Sequence, residues 1–162
     1  MLTHMNDGSC PLCSGEEFDA QMGRQQVWED EYWRLTTSVG PGDPTPGFSY
    51  LEPKRHIASI SDLDGPEAIT FGPAMAKCSE ALKKATAADG VWIYVFGGHL
   101  DHLHVHLAPH REGDALNDAV LKGDFVEEPM PTGVVALVST EYPAVPEDTL
   151  RAVAERVREL LN

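Results

Sequence analysis

Basic residues are scarce in this chain. Twelve Lys and Arg face 26 Asp and Glu, a formal charge of −14 over 162 residues. Such a surface repels nucleic acid, whose non-specific binding rests on Lys and Arg, so no nucleic-acid partner is expected. Any anion site must be locally positive, built from His, a metal, a few basic side chains or backbone N–H groups. Long apolar runs are also missing. No stretch approaches the ~20 residues of a membrane span, so no membrane association is expected. The N-terminus lacks the charged-then-apolar pattern of a secretory signal. Cysteine is sparse and odd in number, with Cys10, Cys13 and Cys78 only. Three thiols without a signal pattern point to a reducing cytoplasm. What remains is ordinary for a globular protein, 42% apolar and 23% charged, and long enough for one domain with its own core.

The pattern predicts mixed strands and helices. Residues 25–37 read as strand with a turn near Glu29-Asp30-Glu31. The Gly- and Pro-rich residues 40–47 form a loop, and residues 48–52 alternate like a strand. A helix follows, opened by a capping-box pattern at Asp64-x-x-Glu67 with Pro66 early in it. Ile69, Gly72, Met75, Cys78, Leu82 and Ala85 recur at helical spacing. Asp89-Gly90 is expected to close this helix, and Pro73 to kink or split it. Cys78 reads as a small buried apolar residue on that helix. Val91–Phe96 is apolar and β-branched or aromatic, which predicts a buried strand. Residues 111–130 read as acidic and irregular, Val134–Val138 as a short strand, and Pro146–Leu161 as an amphipathic helix. No steady βαβ rhythm appears, which favours an α+β fold with an antiparallel sheet.

Five of the seven histidines lie between positions 99 and 110. In a strand, residues two apart point the same way, about 6.6 Å apart. His102, His104 and His106 then line one face while Leu103, Val105 and Leu107 face a core. Three adjacent imidazoles are costly to hide without partners. They suit an anion or a metal. A neutral imidazole held through one nitrogen can attack phosphorus with the other, and a neighbouring His can bind a phosphate oxygen or assist a leaving group. Cys10-x-x-Cys13 alone leaves a zinc half-site or a redox pair open. It sits in a polar segment before any clear strand, unlike a redox motif, and zinc would need two further ligands from far away in sequence. His56 and one His of the 102–106 run are the candidates.

At this point the chain resembles the histidine-triad (HIT) family. The family motif His-φ-His-φ-His-φ-φ, with φ apolar, reads here His102-Leu103-His104-Val105-His106-Leu107-Ala108. Three more segments are similar in order: Cys10-Pro11-Leu12-Cys13, the strand Val27-Trp28-Glu29-Asp30, and Glu52-Pro53-Lys54-Arg55-His56 followed by Leu63. The resemblance covers about residues 10–112. It implies a five-stranded antiparallel sheet with helices and a catalytic domain over 6–112, while residues 113–162, for which the resemblance offers no equivalent, are expected to form a C-terminal extension packed on the same domain. It also implies a homodimer and a small-molecule nucleotide substrate. His104 would be the nucleophile and His106 the phosphate-side assistant. A structural Zn²⁺ would take Cys10, Cys13, His56 and His102. The Gly-Gln-x-φ-x-His approach of many members is replaced by Gly97-Gly98-His99-Leu100-Asp101-His102. His99, His110, Lys54 and Arg111 are the candidate substrate contacts.

Three functions fit these residues. One is a nucleotide hydrolase or nucleotidyl transferase working through a nucleotidyl-His104 intermediate. Another is an enzyme in which His102, His104 and His106 share a catalytic metal. The third is a nucleotide-binding or scaffold protein with little turnover.

Overall fold

The computed structural model describes residues 10–41, 43, 45–97, 100–112, 114, 125–129, 135–139 and 144–162. After a 3-10 turn at Pro11–Ser14 come α1 (Glu16–Gln21), β1 (Arg24–Glu29), β2 (Trp33–Ser38), β3 (Ser49–Pro53), α2 (Gly65–Thr86), β4 (Gly90–Tyr94) and β5 (Val105–His110). A further pair, β6 (Phe125–Pro129) and β7 (Val135–Ser139), precedes α3 (Glu147–Leu161). The first five strands form one antiparallel sheet in the order β1-β2-β3-β5-β4. The expected α+β class and five-stranded antiparallel sheet are therefore what the chain forms.

Local chemistry sets the turns. Asp30 lets its side-chain oxygen accept the N–H groups of Tyr32 and Trp33, which closes the β1–β2 hairpin. Gly47 has φ +83 and lies so close to Thr86 and Pro109 that a Cβ would come within 2.7 Å of the Thr86 methyl. Only glycine passes there.

One sheet face buries Trp33, Leu35, Leu51, Val105 and Leu107 against Ala74, Cys78, Ala81 and Leu82 of α2. Leu150, Ala154, Val157 and Leu161 of α3 complete the same core. At roughly 25 cal/mol per Å² of apolar surface, each large side chain buried here contributes about 1.5–3 kcal/mol. The opposite sheet face carries the histidines and is where the site is built.

Several expectations change. The Val91–Phe96 run lies at the edge of the sheet, and Trp92, Ile93, Val95 and Phe96 are exposed among the described residues. Helix α2 runs unbroken through Pro73 and stops at Thr86, before Asp89. Pro73 is on the solvent side, and the buried face of α2 outweighs a cost of about 3 kcal/mol for an interior proline. Ile69 is exposed rather than core. The capping box does not form, because Asp64 and Glu67 both bind Arg55 at 2.5–3.0 Å. These hydrogen bonds hold the Glu67 carboxyl below its ordinary range. Part of the stretch expected to be irregular is strand β6, paired antiparallel with β7.

Candidate active site and metal centre

The His run is not one continuous strand. β5 begins at Val105, so His102 and His104 lie on the segment leading into it. This frees His102 to turn away from its two partners. Its ring is buried and lies beside the 3-10 turn that carries both cysteines. His102 Nδ1 is 3.4 Å from Cys10 Sγ and 3.5 Å from Cys13 Sγ, and Cys13 Sγ is 3.5 Å from His56 Nδ1. The four donor atoms lie within 4.8 Å of one another. A sulfur and a nitrogen bound at ~2.3 and ~2.0–2.1 Å to one tetrahedral ion sit about 3.5 Å apart, as these pairs do.

The tautomer of His102 also fits. Its Nε2 is 2.9 Å from the Pro53 carbonyl oxygen, which can only accept. Nε2 therefore carries the proton and Nδ1 offers its lone pair toward the sulfurs, the usual outer-shell support of a metal-bound imidazole. Burial holds His102 below its ordinary pKa, although the Pro53 bond opposes the shift. A ligand must be neutral.

His104 is oriented in the opposite sense. Its Nδ1 is 2.7 Å from the main-chain oxygen of His102. That carbonyl again fixes the proton, here on Nδ1, and leaves the Nε2 lone pair free. Among the described residues, the metal-site donors include neither His104 nor His106. Shared coordination of one ion by all three histidines is thus not the arrangement found.

His106 sits in an aromatic enclosure. Tyr94 stacks on it at 5.0 Å and 17°, and Phe48, Tyr50 and Phe96 approach at 5.2–5.9 Å. Its strand partners on the two sides are Tyr50 and Tyr94, which explains the cage: register places all three rings on the same sheet face. The ring of His104 is 5.3 Å away. Both His106 nitrogens are buried, with no hydrogen-bond partner among the described residues. Burial first, then the proximity of His104 and the Arg24 guanidinium, pushes its pKa down to about 4. Burial likewise pushes the Tyr50 hydroxyl up to about 12.

A four-membered ion cluster continues this face. Arg24 and Arg34 each bridge Asp19 and Glu52 at 2.5–3.2 Å, and none of the four side chains is more than 9% exposed. Arg34 also donates to the Leu12 carbonyl, inside the cysteine turn. Arg24 lies 4.6 Å over the Tyr50 ring. Neither the cage nor this cluster was foreseen. The available signal was a charged residue at an inward position in each of β2 and β3, and the register does pair Arg34 with Glu52.

The remaining candidates stand apart. Lys54 donates to the Asp30 carbonyl and pairs with Glu29 at the hairpin turn. Arg111 donates to the Thr86 carbonyl at the C-terminal end of α2. His110 stacks on Trp92 at 4.8 Å at the far end of β5, six residues or ~20 Å of strand from His104. Gly90 makes room for it, since a Cβ would come within 2.9 Å of His110 Nε2. His99 lies outside the described residues.

No family model matches the chain. It is 28% identical over 110 residues to an uncharacterized HIT-like protein of Methanocaldococcus jannaschii, covering 65% of this chain and 79% of that one. Its fold matches that of a hypothetical histidine triad nucleotide-binding protein from Sulfolobus tokodaii. The TM-score is 0.64 at 20% identity, over 94% of this chain and 91% of the other. It also matches a zinc-bound histidine triad family protein from Mycobacterium smegmatis, with TM-score 0.59 at 23% identity over 94% and 96%. In motif and fold the chain is thus similar to HIT-like proteins, and its described residues bring Cys10, Cys13, His56 and His102 together as a candidate Cys₂His₂ metal site.

Proposed function

We propose that the protein is a nucleotide hydrolase or nucleotidyl transferase that cleaves a nucleoside 5′-phosphate from a leaving group through a covalent nucleotidyl-His104 intermediate. The observation that carries this is the fixed tautomer of His104. Its Nδ1–H is committed to the His102 carbonyl, so a neutral Nε2 lone pair is held ready. Nε2 attacks the α-phosphorus, the bond from phosphorus to the leaving group breaks, and the electron pair departs with the leaving group. Water or another acceptor then attacks phosphorus and the N–P electron pair returns to Nε2. His106 offers a hydrogen bond to a phosphate oxygen, which would supply the partner its buried nitrogens lack. The test is intact mass after rapid quench with adenylylated and guanylylated compounds. One nucleoside monophosphate should add to the wild-type chain. A protein that turns over none of the panel and gains no mass overturns the reading.

The proposed ion is Zn²⁺, held by Cys10, Cys13, His56 and His102, with a structural role because four protein ligands close the coordination sphere. It would fix the segment whose carbonyl sets the His104 tautomer. Purified protein should contain about one zinc per chain. Cys13→Ser should lose it, with a Tm about 5–10 °C lower, roughly 2–4 kcal/mol for a chain of this size. Full zinc content in Cys13→Ser would remove the assignment.

The proposed partner is a second copy of the chain. Edge strand β4 pairs only with β5 among the described residues and exposes Trp92 and Ile93, and the segment after it exposes Val95 and Phe96. Such an edge is a template for pairing. The wild type should sediment as a dimer and Ile93→Asp as a monomer. A monomeric wild type at micromolar concentration excludes the dimer. With no helix long and apolar enough to cross a membrane among the described residues, action on small molecules in the cytoplasm is the proposed setting.

A further inference from the structure

We propose that Cys10 and Cys13 form a hydroperoxide-reactive pair, which closes to a disulfide and so withdraws both sulfurs from the metal site. The inference rests on the zinc assignment above and is independent of the nucleotidyl-transfer reading.

Spacing comes first. Cys10 caps a four-residue 3-10 turn, Pro11–Ser14, and the Cys13 N–H donates to the Cys10 carbonyl at 3.1 Å. Residues three apart in such a turn eclipse one another, which brings both thiols to one side. Both sulfurs indeed meet the same atom, His102 Nδ1, at 3.4 and 3.5 Å. The donor atoms of the cluster lie within 4.8 Å of one another. A disulfide bond of ~2 Å then needs side-chain rotation and little backbone movement.

Access separates this pair from the third cysteine. Cys10 and Cys13 are half-buried, whereas Cys78 is fully buried on the core face of α2. Burial also pushes the Cys78 thiol up to about 12, and a protonated thiol is a poor nucleophile. A sulfur that coordinates zinc is held deprotonated instead. Of the four ligands only His102 is buried, so solvent reaches the site past the two cysteines and His56. The pair opens a 3-10 turn and not an α-helix, so its reactivity owes nothing to a helix dipole.

The step balances with a hydroperoxide as oxidant. One thiolate attacks a peroxide oxygen, the O–O bond breaks, and the departing hydroxide takes a proton from solvent, leaving a sulfenic acid. The second thiolate attacks that sulfur, the S–O bond breaks, and a second hydroxide is protonated. Each sulfur loses one electron overall, and both peroxide oxygens end as water. The neighbouring sulfur acts at an effective concentration in the millimolar range. That exceeds micromolar peroxide, so disulfide closure outruns a second oxidation to the sulfinic acid. His56 and His102 remain, with ring centroids 5.2 Å apart, and two neutral nitrogens do not complete a zinc site. The turn itself stays seated. Leu12, between the cysteines, is 3% exposed, and its carbonyl accepts from Arg34. The fold therefore survives oxidation, and reduction restores the site.

The test treats purified, zinc-loaded protein with micromolar hydrogen peroxide. A chromophoric chelator follows released zinc, while intact mass and thiol counts follow the sulfurs. About one zinc should leave per chain as two of the three thiols disappear. The mass of the metal-free chain should fall by that of two hydrogen atoms. Peptide mapping should join Cys10 to Cys13 and find Cys78 still reduced. Cys78→Ala should release zinc at the wild-type rate. Dithiothreitol followed by Zn²⁺ should restore metal content and Tm together. Zinc retained in peroxide, zinc lost without a Cys10–Cys13 bond, a sulfinic acid as the product, or release that slows in Cys78→Ala overturns the inference. Each of these leaves the zinc assignment and nucleotidyl transfer standing. A purified chain that holds no zinc and takes up none overturns the zinc assignment, and the inference with it.

Discussion

His104→Ala is expected to reduce turnover by about 10⁴–10⁶-fold, the range seen when a covalent nucleophile or its base is removed from an enzyme. The same variant should keep its full complement of zinc. The two results together separate the functions open at the sequence level. If His104 were a ligand in a three-histidine metal site, its loss would strip the metal along with the activity. The orientations found argue otherwise, since His102 Nδ1 faces the cysteines while His104 Nδ1 is taken by a main-chain carbonyl. The cost to folding should be small. One hydrogen bond is lost, worth about 0.5–1.5 kcal/mol, which for a chain of this size lowers Tm by about 2–6 °C. Steady-state kinetics, metal analysis and a melting curve on one preparation decide it. Wild-type turnover in His104→Ala would end the nucleophile assignment.

Much of this site was legible because the signals are local. Alternation of His with apolar residues from 102 to 107 pointed to candidate site residues at a strand, and the Cys10/Cys13 spacing pointed to half of a candidate metal site. Long-range facts were not legible. The apolar run 91–96 looked buried because hydrophobicity reports burial on average and cannot see that a strand ends a sheet. The three histidines looked equivalent because strict alternation assumes strand throughout. The chain enters the strand only at Val105, so His102 escapes the alternation and swings toward the two cysteines. The aromatic cage depends on the β3–β5–β4 register, which brings Tyr50 and Tyr94 to either side of His106 across more than 40 residues of sequence. Pro73 and the Asp64/Glu67 pattern misled for one reason. Tertiary partners, a packed helix face and the Arg55 guanidinium, overrode local rules worth only about 1–3 kcal/mol.

The ion cluster yields the other large prediction. Glu52→Gln should destabilise the fold by about 3–5 kcal/mol, because it leaves two buried guanidinium groups with one carboxylate between them. Glu52 is fully buried and bonds both Arg24 and Arg34. A pair removed together should cost less than either partner alone. The double variant Glu52→Leu, Arg34→Met leaves Asp19 with Arg24 as a neutral pair, and coupling of roughly 0.5–3 kcal/mol should appear in a thermodynamic cycle. Urea denaturation of the four proteins measures it, and additive losses would show that the cluster is four independent charges. The damage should also reach the metal. Glu52 precedes Pro53, whose carbonyl fixes the His102 tautomer, and Arg34 holds the Leu12 carbonyl between the two cysteines. Zinc affinity in Glu52→Gln should fall by about 10–100-fold, as for other outer-shell losses. A chelator-competition titration on the folded fraction reads this directly. Unchanged affinity would mean that the cluster supports the fold without supporting the metal site, and that the His102 ring keeps its orientation through the Pro53 carbonyl alone.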